Sequence, residues 1–397
     1  MRNEIFTVID DISINLTNLN GKTIDISRLL LQIEIYESVF EPFMSGKLVI
    51  ADTLDIQQNF PIIGYENLEI SLSTTDINRT IVLNQKIYKI ARDTQNIKGD
   101  IKRRILIIYF CSEEKILSNL NSISKKYNDK AENIIQDALD IIGSEKTFDY
   151  ISTTDNLEIF SNFWSPQKLI EFVCKLSTNG TYSDYLFFEN FDGFSFKPIS
   201  HLLNQEHVHD VVYDTRSESF IGNKNMKIFR FENYFDINMN SGDGLFGMTL
   251  YKPGLTEYSY EKNASDLHEN VEDIVTNGLS LPFNDNVITS ENFIGLNYYD
   301  PDISKIRMTS LKLLKNYNIV AKMNGDFIRK CGQILNLDFP NYDNENNINT
   351  SFDGKWFIMG IKHIIGQDNN FEQNLFLGKN SFFNNSALHR ITNLVNI

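Results

Sequence analysis

The sequence predicts an α+β chain that is mainly β: one β unit, then a mixed α+β unit, then a second β unit that is interrupted. Three observations carry this prediction. Residues 1–111 alternate apolar and polar side chains at a period of two and hold no segment of helical spacing. Residues 112–205 turn to helical spacing with recognisable caps and then to an aromatic hairpin. From residue 207 the period-two segments return, broken by a Gly-, Asn- and Asp-rich stretch before residue 305.

In the first unit, LLLQIEIYE (29–37) sets Leu31, Ile33 and Ile35 on one face and Gln32, Glu34 and Tyr36 on the other. GKLVIAD (46–52), the alternating part of NFPIIGYENLEISLS (59–73), TIVLNQKIYKIARD (80–93) and KRRILIIYF (102–110) complete a set that suits a small antiparallel barrel or sandwich. In the second unit, SEEKILSNLNSISKKYN (112–128) and DKAENIIQDALDIIG (129–143) predict helices, with Gly143 placed to end the second. SPQKLIEFVCKLS (165–177) predicts another, with Ser165 as N-cap and Pro166 at the first helical position. YLFFENFDGFSFKPI (185–199) predicts a hairpin turning at Asp192-Gly193.

In the third unit, HVHDVVYD and MKIFRFENYFDIN predict strands, and 305–325 begins helix-like and becomes a strand at NIVAKM. FIRKCGQILNLDFP (327–340) predicts a strand with Gly332 inside it, and GKWFIMGIKHIIG with FEQNLFLGKNSF (371–382) a closing pair. The expected organisation is therefore a first barrel at 1–111 and an α+β domain at 112–205. A second barrel begins at 206–239, is interrupted by an insertion at 240–304 assigned to the outer α+β region, and resumes at 305–380 before a C-terminal tail at 381–397.

Bulk composition narrows the function. Of 397 residues 42% are hydrophobic, enough for several cores. No apolar run is long enough to cross a bilayer and no signal-peptide pattern opens the chain, so a protein kept or assembled in cytosol is expected. Cys111, Cys174 and Cys331 lie far apart and are expected as buried free thiols. The net charge of −15 disfavours a groove that grips nucleic acid, yet suits a channel that repels phosphates and lets DNA slide.

The candidates for chemistry are weak. His207 and His209 share a strand face but have no third ligand at informative spacing. SGDGLFG (241–247), with Asp266 further on, fits the dinucleotide spacing, but MTLYKPG follows where a helix must open. DNENNIN (343–349) lacks the glycine and ligand spacing of a calcium loop. Strand 355–365 sets Phe357, Met359, Ile361, His363 and Ile365 on one face, and Trp356, Ile358, Gly360, Lys362 and Ile364 on the other. With no nucleophile tied to it, His363 reads as a hydrogen-bonded structural residue, and Trp356 as a packed one. No catalytic residue, cofactor or metal is expected.

Four stretches carry a resemblance: SVFEPFMSGKLVIADT (38–53) with FPIIGYENLEISLST (60–74); NFWSPQKLIEFVCKLS (162–177) with YLFFENFDGFSF (185–196); VAKMNGDFIRKCGQILNLDFP (320–340); and GKWFIMGIKHIIG with FEQNLFLGKNSF. In this order they resemble the baseplate central hub proteins of contractile-tailed, T-even-like bacteriophages. The resemblance implies two tube-protein-like antiparallel β-barrels with an intervening α+β domain. It also implies a non-enzymatic homotrimer whose pseudo-sixfold ring adapts the tail tube protein to a threefold central spike protein. Other baseplate proteins are implied as neighbours, DNA as a non-specific passenger through the lumen, and the virion tail baseplate, assembled in the host cytoplasm, as the location. Gln32 and Glu34 become candidates for the lumen wall, although their face fits an outer solvated surface equally well. The alternatives are the hub of a phage-derived injection machine or tailocin, a cell-wall hydrolase working through a carboxylate pair, and a monomeric binding module.

Overall fold

The computed structural model describes residues 9–60, 62–74, 79–96, 102–180, 183–213, 225–233, 247–253, 260–266, 287–289, 307, 311, 314, 317–338 and 354–379. Residues 241–246, 343–349 and the tail 381–397 lie outside the described residues.

The first unit contains β1 (Asp11–Thr17), β2 (Thr23–Asp25), β3 (Leu30–Ser38), β4 (Ser45–Ala51), the short α1 (Ile56–Asn59), β5 (Asn67–Thr74), β6 (Arg79–Asn96) and β7 (Lys102–Ser112). The period-two pattern turns one face of each strand inward. Ile14, Leu16, Ile33, Ile35, Leu48, Ile50, Leu68, Ile70, Leu83, Leu106 and Ile108 form one core. The strands pair in the order β3-β4-β7-β6-β5-β1-β2, and the turn after β2 folds back through Ile26 N donating to Ile14 O at 2.9 Å.

The α+β unit follows with α2 (Glu113–Leu120), β8 (Ile123–Lys130), α3 (Ala131–Ile141), β9 (Phe148–Tyr150), β10 (Asn156–Trp164), α4 (Pro166–Leu176), β11 (Tyr185–Asn190), β12 (Gly193–Pro198) and α5 (Ile199–Asn204). Two expectations need correction. The helical reading of 112–128 holds only to Leu120; Ile123–Lys130 is a strand paired with β10. Its buried residues Ile123 and Tyr127 lie four apart, a spacing that places two side chains on one face of a helix or of a strand alike. The hairpin also turns one residue earlier than expected. Asn190 pairs with Gly193, so Phe191-Asp192 form the loop and Gly193, at φ +125, opens β12 against Thr147 O, where a Cβ would have no room. The expected caps hold: Ser165 accepts from Lys168 N, with Pro166 first in α4.

The third unit supplies β13 (His207–Tyr213), β14 (Asn225–Asn233), β15 (Gly247–Pro253), β16 (Tyr260–Asp266), β17 (Val287–Thr289), β18 (Tyr317–Asn324), β19 (Ile334–Asp338), β20 (Gly354–Gly366) and β21 (Phe371–Lys379). Within 240–304, β15, β16 and β17 make a sheet of their own, and Gly247 opens a strand where a dinucleotide fold needs a helix. Arg307, Leu311 and Leu314, the described residues before β18, are helical. The other six strands close into a barrel, because β19 pairs with both β13 and β20. β13 runs parallel to both its neighbours, a departure from an all-antiparallel barrel. The strand expected over 327–340 is confined to Ile334–Asp338. Gly332 lies outside it at φ +87, where a Cβ would meet Phe188 Cζ at 2.6 Å.

β20 departs from simple alternation. Its pairing with β21 shifts between Ile358 and Gly360, leaving Met359 as a bulge. Beyond the bulge the faces exchange, so Ile361 joins Trp356 and Ile358 in the second-barrel core, while Phe357 and Met359 pack with Phe188, Ile199 and Leu202. The grouping of Phe357 with Ile361 is thus overturned by one extra residue.

β20 also ties the barrels together. Its first part pairs with β19, and its second part, Gly360–Gly366, pairs with Ser38–Gln32 of β3. The result is one thirteen-stranded sheet running through both barrels.

The barrels repeat each other. Setting aside the three-residue β2, and numbering the strands of each barrel one to six along the chain, both follow the order 1-4-5-6-3-2: β1-β5-β6-β7-β4-β3 and β13-β19-β20-β21-β18-β14. Directions agree at every junction from strand four to strand two. Details agree too. β6 bulges between Ile87 and Lys89, just after its last pair with β5, as β20 does after its last pair with β19. Ile87 bonds Glu66 O (3.0 Å) and Tyr65 N (2.7 Å); Ile358 bonds Gln333 O (2.8 Å) and Gly332 N (2.9 Å). Tyr65 (φ +77) and Gly332 (φ +87) share a left-handed backbone. The Glu66 carboxylate takes Ile63 N at 2.7 Å, and the Gln333 amide oxygen takes Lys330 N at 2.8 Å.

Candidate functional site at the barrel junction

The non-core face of β3 carries Gln32, Glu34 and Tyr36, two residues apart. Gln32 Nε2 donates to Glu34 Oε1 at 3.0 Å, so the two candidates are in contact. Glu34 faces Lys47 of β4 in register, and Lys362 of β20 sits opposite Tyr36. Lys47 Nζ lies 3.0 Å from Glu34 Oε1, Lys362 Nζ 2.9 Å from Oε2, and the Tyr36 hydroxyl donates to Oε2. Burial alone raises the Glu34 pKa, but the bonds from Tyr36, Lys362 and Lys47 outweigh it and hold the carboxyl below its ordinary value. Burial and the Glu34 charge push Tyr36 up.

Glu34 is 4% exposed, and solvent meets the lysines instead. The strip continues outward through Tyr109, opposite Lys47, with Lys89 over its ring at 5.2 Å, and in the other direction to the Lys322–Glu372 ion pair. Among the described residues this strip brings Lys47, Lys89, Lys322 and Lys362 together with Glu34 and Glu372. Alternation picked out Gln32 and Glu34. The lysines were missed because strand pairing, which no local pattern encodes, brings them from β4 and β20.

His363 and Trp356 go to different places on one strand. Trp356 is 1% exposed and packs in the second-barrel core with Leu335 and Leu337. His363 is fully buried beyond the bulge, its ring 4.6 Å from Phe191 and 5.9 Å from Phe371. Its Nδ1 is 3.1 Å from Gln373 Nε2, and its Nε2 is a longer 3.4 Å from Glu37 Oε1. Gln373 Nε2 also donates to Asp326 O at 2.7 Å, and Arg329 Nε donates to Gln373 Oε1 at 2.8 Å. Glu37 Oε2 accepts Cys331 N at 3.0 Å. Burial pulls the Arg329 pKa down to about 10. The network knits β3, β20, β21 and the loop before β19.

His207 and His209 do not converge. His207 Nε2 is 3.1 Å from Asp210, and His209 Nε2 is 3.2 Å from Asp326. Among the described residues no group of His, Cys, Asp or Glu is arranged to hold a metal ion. The three cysteines are free and buried. Burial raises the Cys111 pKa to about 11 and the Cys174 pKa to about 12, so neither offers a ready thiolate.

A cleft of about 540 Å³ lies where the first barrel meets the α+β unit. In it Lys146 bridges Glu114 (2.7 Å) and Glu189 (2.6 Å), and Glu189 also accepts from Ser112 Oγ (2.6 Å) and Met44 N (2.7 Å). These bonds brace β11 against the end of the first barrel. Arg307 Nη1 donates to Cys174 O at 2.9 Å, satisfying a carbonyl in the last turn of α4.

No family model matches the sequence, and no curated protein matches it in sequence. The fold does match solved structures. The tail protein from Neisseria meningitidis MC58 superposes with a TM-score of 0.57 at 10% identity, over 93% of this chain and 96% of that one. The 43 kDa tail protein of prophage MuSo2 from Shewanella oneidensis gives 0.59 at 10% identity, over 93% and 98%. The chain shares the fold of these tail proteins. The expected class, α+β and mainly β, is the fold found. Among the described residues no helix is long and apolar enough to cross a membrane.

Proposed function

We propose that this protein is a structural baseplate hub of a phage contractile tail. Three copies form a ring of six barrels that adapts the sixfold tail tube to the threefold central spike. The observation that carries the proposal is the repeated 1-4-5-6-3-2 strand order within one chain, with the two barrels joined through β20 and β3. A chain that presents the same barrel twice gives a threefold assembly a sixfold face. Two solved proteins of this fold are described as tail proteins, which supports the same setting.

In this reading the barrels comprise 1–111, and 206–239 with 305–380. The α+β parts brace the ring from outside, and the strip with Gln32 and Glu34 lines the lumen. Lysines tethered to Glu34 then make weak, sequence-independent contacts with passing phosphates rather than a uniformly acidic wall. The tail tube, the spike and other baseplate proteins are the partners, and the role is mechanical, without catalysis.

Solution mass with negative-stain class averages tests the reading. A threefold ring with a central hole is expected. A stable monomer that forms no ring in the presence of the spike protein would sink it, as would peptidoglycan turnover abolished by a single Asp or Glu substitution.

A further inference from the structure

The cleft where the first barrel meets the α+β unit is short of cations. Its lining includes the buried Gln85, Glu114 and Glu189 and the exposed Glu145. Lys146 answers both Glu114 (2.7 Å) and Glu189 (2.6 Å), so one cation faces two buried carboxylates. Two more carboxylates of the lining have lysines of their own: Glu113 lies 3.2 Å from Lys86, and Asp192 pairs with Lys330. Among the described residues Glu145 has no ion pair. Five carboxylates therefore meet three lysines, which leaves two negative charges over. The groups inside feel this field. Burial raises the Glu189 pKa, and the Glu114 charge acts in the same direction against Lys146. Burial alone lowers the Lys146 pKa, but the charges of Glu189 and Glu114 outweigh it and raise it.

A second observation is independent of charge. Gln85 is 3% exposed, and its Oε1 has no hydrogen-bond partner. Gln85 pairs with Ser112 across β6 and β7, so the two side chains share a face, and Ser112 Oγ donates to Glu189 Oε2 at 2.6 Å. The orphaned amide thus stands beside the carboxylates, in the wall of the cleft. Folded proteins rarely leave a buried acceptor unanswered.

We propose that this cleft receives a guanidinium group, the head of an arginine side chain carried by another protein chain. The acceptors come from separate elements: Gln85 from β6, Glu189 from β11 and Glu145 from the segment after α3. A guanidinium presents five N–H donors in a rigid fork and can answer several of them at once, whereas an ammonium presents three from one point. Its charge offsets the excess. Val82, 53% exposed, and Leu117 give the wall an apolar part along which the methylene stem can lie. The volume of about 540 Å³ falls in the usual range of ligand clefts, roughly 300–1,000 Å³. A free amino acid would bring its own carboxylate into this negative field, so the side chain of a polypeptide fits better. The walls belong to both units, and an inserted arginine pins the first barrel to the α+β unit. The proposal goes beyond the hub reading and stands without it.

Ligand-observed NMR titration of the purified full chain tests it with three blocked probes: acetyl-arginine methylamide and its lysine and citrulline counterparts. The arginine probe is expected to bind at least about tenfold tighter than either of the others, since lysine lacks the fork and citrulline the charge. Gln85→Met is expected to weaken that binding about tenfold, without lowering the melting temperature, because the Oε1 it removes has no partner in the free chain. Glu145→Gln, on the exposed rim, is expected to weaken it about threefold. The proposal is overturned if the arginine probe shows no saturable binding or binds no tighter than the citrulline probe. It is equally overturned if Gln85→Met, with the wild-type circular dichroism spectrum, binds the arginine probe as wild type does. Free L-arginine binding about tenfold tighter than the blocked probe would overturn the assignment to a protein-borne side chain; equal or weaker binding supports it.

Discussion

Arg329 Nε donates to Gln373 Oε1 at 2.8 Å, and that bond settles the chemistry of a third residue. A guanidinium only donates, so the Gln373 oxygen must face it and the amide nitrogen must face His363. His363 Nδ1 is therefore the acceptor in that pair. In this fully buried histidine Nδ1 is taken up by Gln373, whereas Nε2 stands 3.4 Å from Glu37 Oε1 without a hydrogen bond.

His363→Gln keeps a side chain able to donate and accept, and is expected to cost about 1 kcal/mol and leave ring assembly intact. His363→Leu removes the acceptor of the second Gln373 amide hydrogen, the first being held by Asp326 O, and is expected to cost about 1–3 kcal/mol more. Urea unfolding of both variants checks the ordering; equal costs would show that packing alone matters there.

Trp356 is 1% exposed in the second-barrel core, so Trp356→Ala opens a cavity. The expected loss is about 3–5 kcal/mol, read as a lower denaturation midpoint with an unchanged slope. A loss under about 1 kcal/mol would mean that the indole is not packed as described.

The Glu34 pKa is lowered in the fold, below the ordinary value of 4.5. A lowered carboxyl contributes stability that is fully present above its unfolded value and is lost as pH falls through the folded one. Wild type and Glu34→Gln should therefore differ in melting temperature at pH 6–7 and converge as the solution is acidified below about pH 4. A difference that persists unchanged to low pH would remove the ion pairs with Lys47 and Lys362 as its cause.

Cys111, Cys174 and Cys331 are all buried, and burial raises all three thiol pKa values. No alkylation by iodoacetamide is expected in the native state at pH 8, and all three should label in denaturant. Rapid native labelling at Cys331 would contradict the closed junction beside Glu37.

Much of this was legible in the sequence, for reasons tied to particular residues. Ile33 and Ile35 alternate with Gln32 and Glu34, and a half-buried strand must look like that. Ser165-Pro166 announces α4 because its first amides need an acceptor and its first position tolerates proline. What escaped was non-local. The bulge at Met359 moves Ile361 to the other face without a marker in KWFIMGIKH. Arg329 is fully buried, and its partner Gln373 is supplied by another strand. The repeat of the barrels is written in backbone bonds: Tyr65 and Gly332 do the same job with side chains that share nothing.

The strand β20 has a mechanical meaning. Both barrels hang on its backbone, one through β19 and the other through β3, with no flexible connector between those contacts. A load on one barrel reaches the other by shearing a row of amide hydrogen bonds, which share the force, rather than by peeling them open one at a time. The pair should move as a single stiff block under load, and a force strong enough to separate them should fracture the barrels themselves rather than open a hinge.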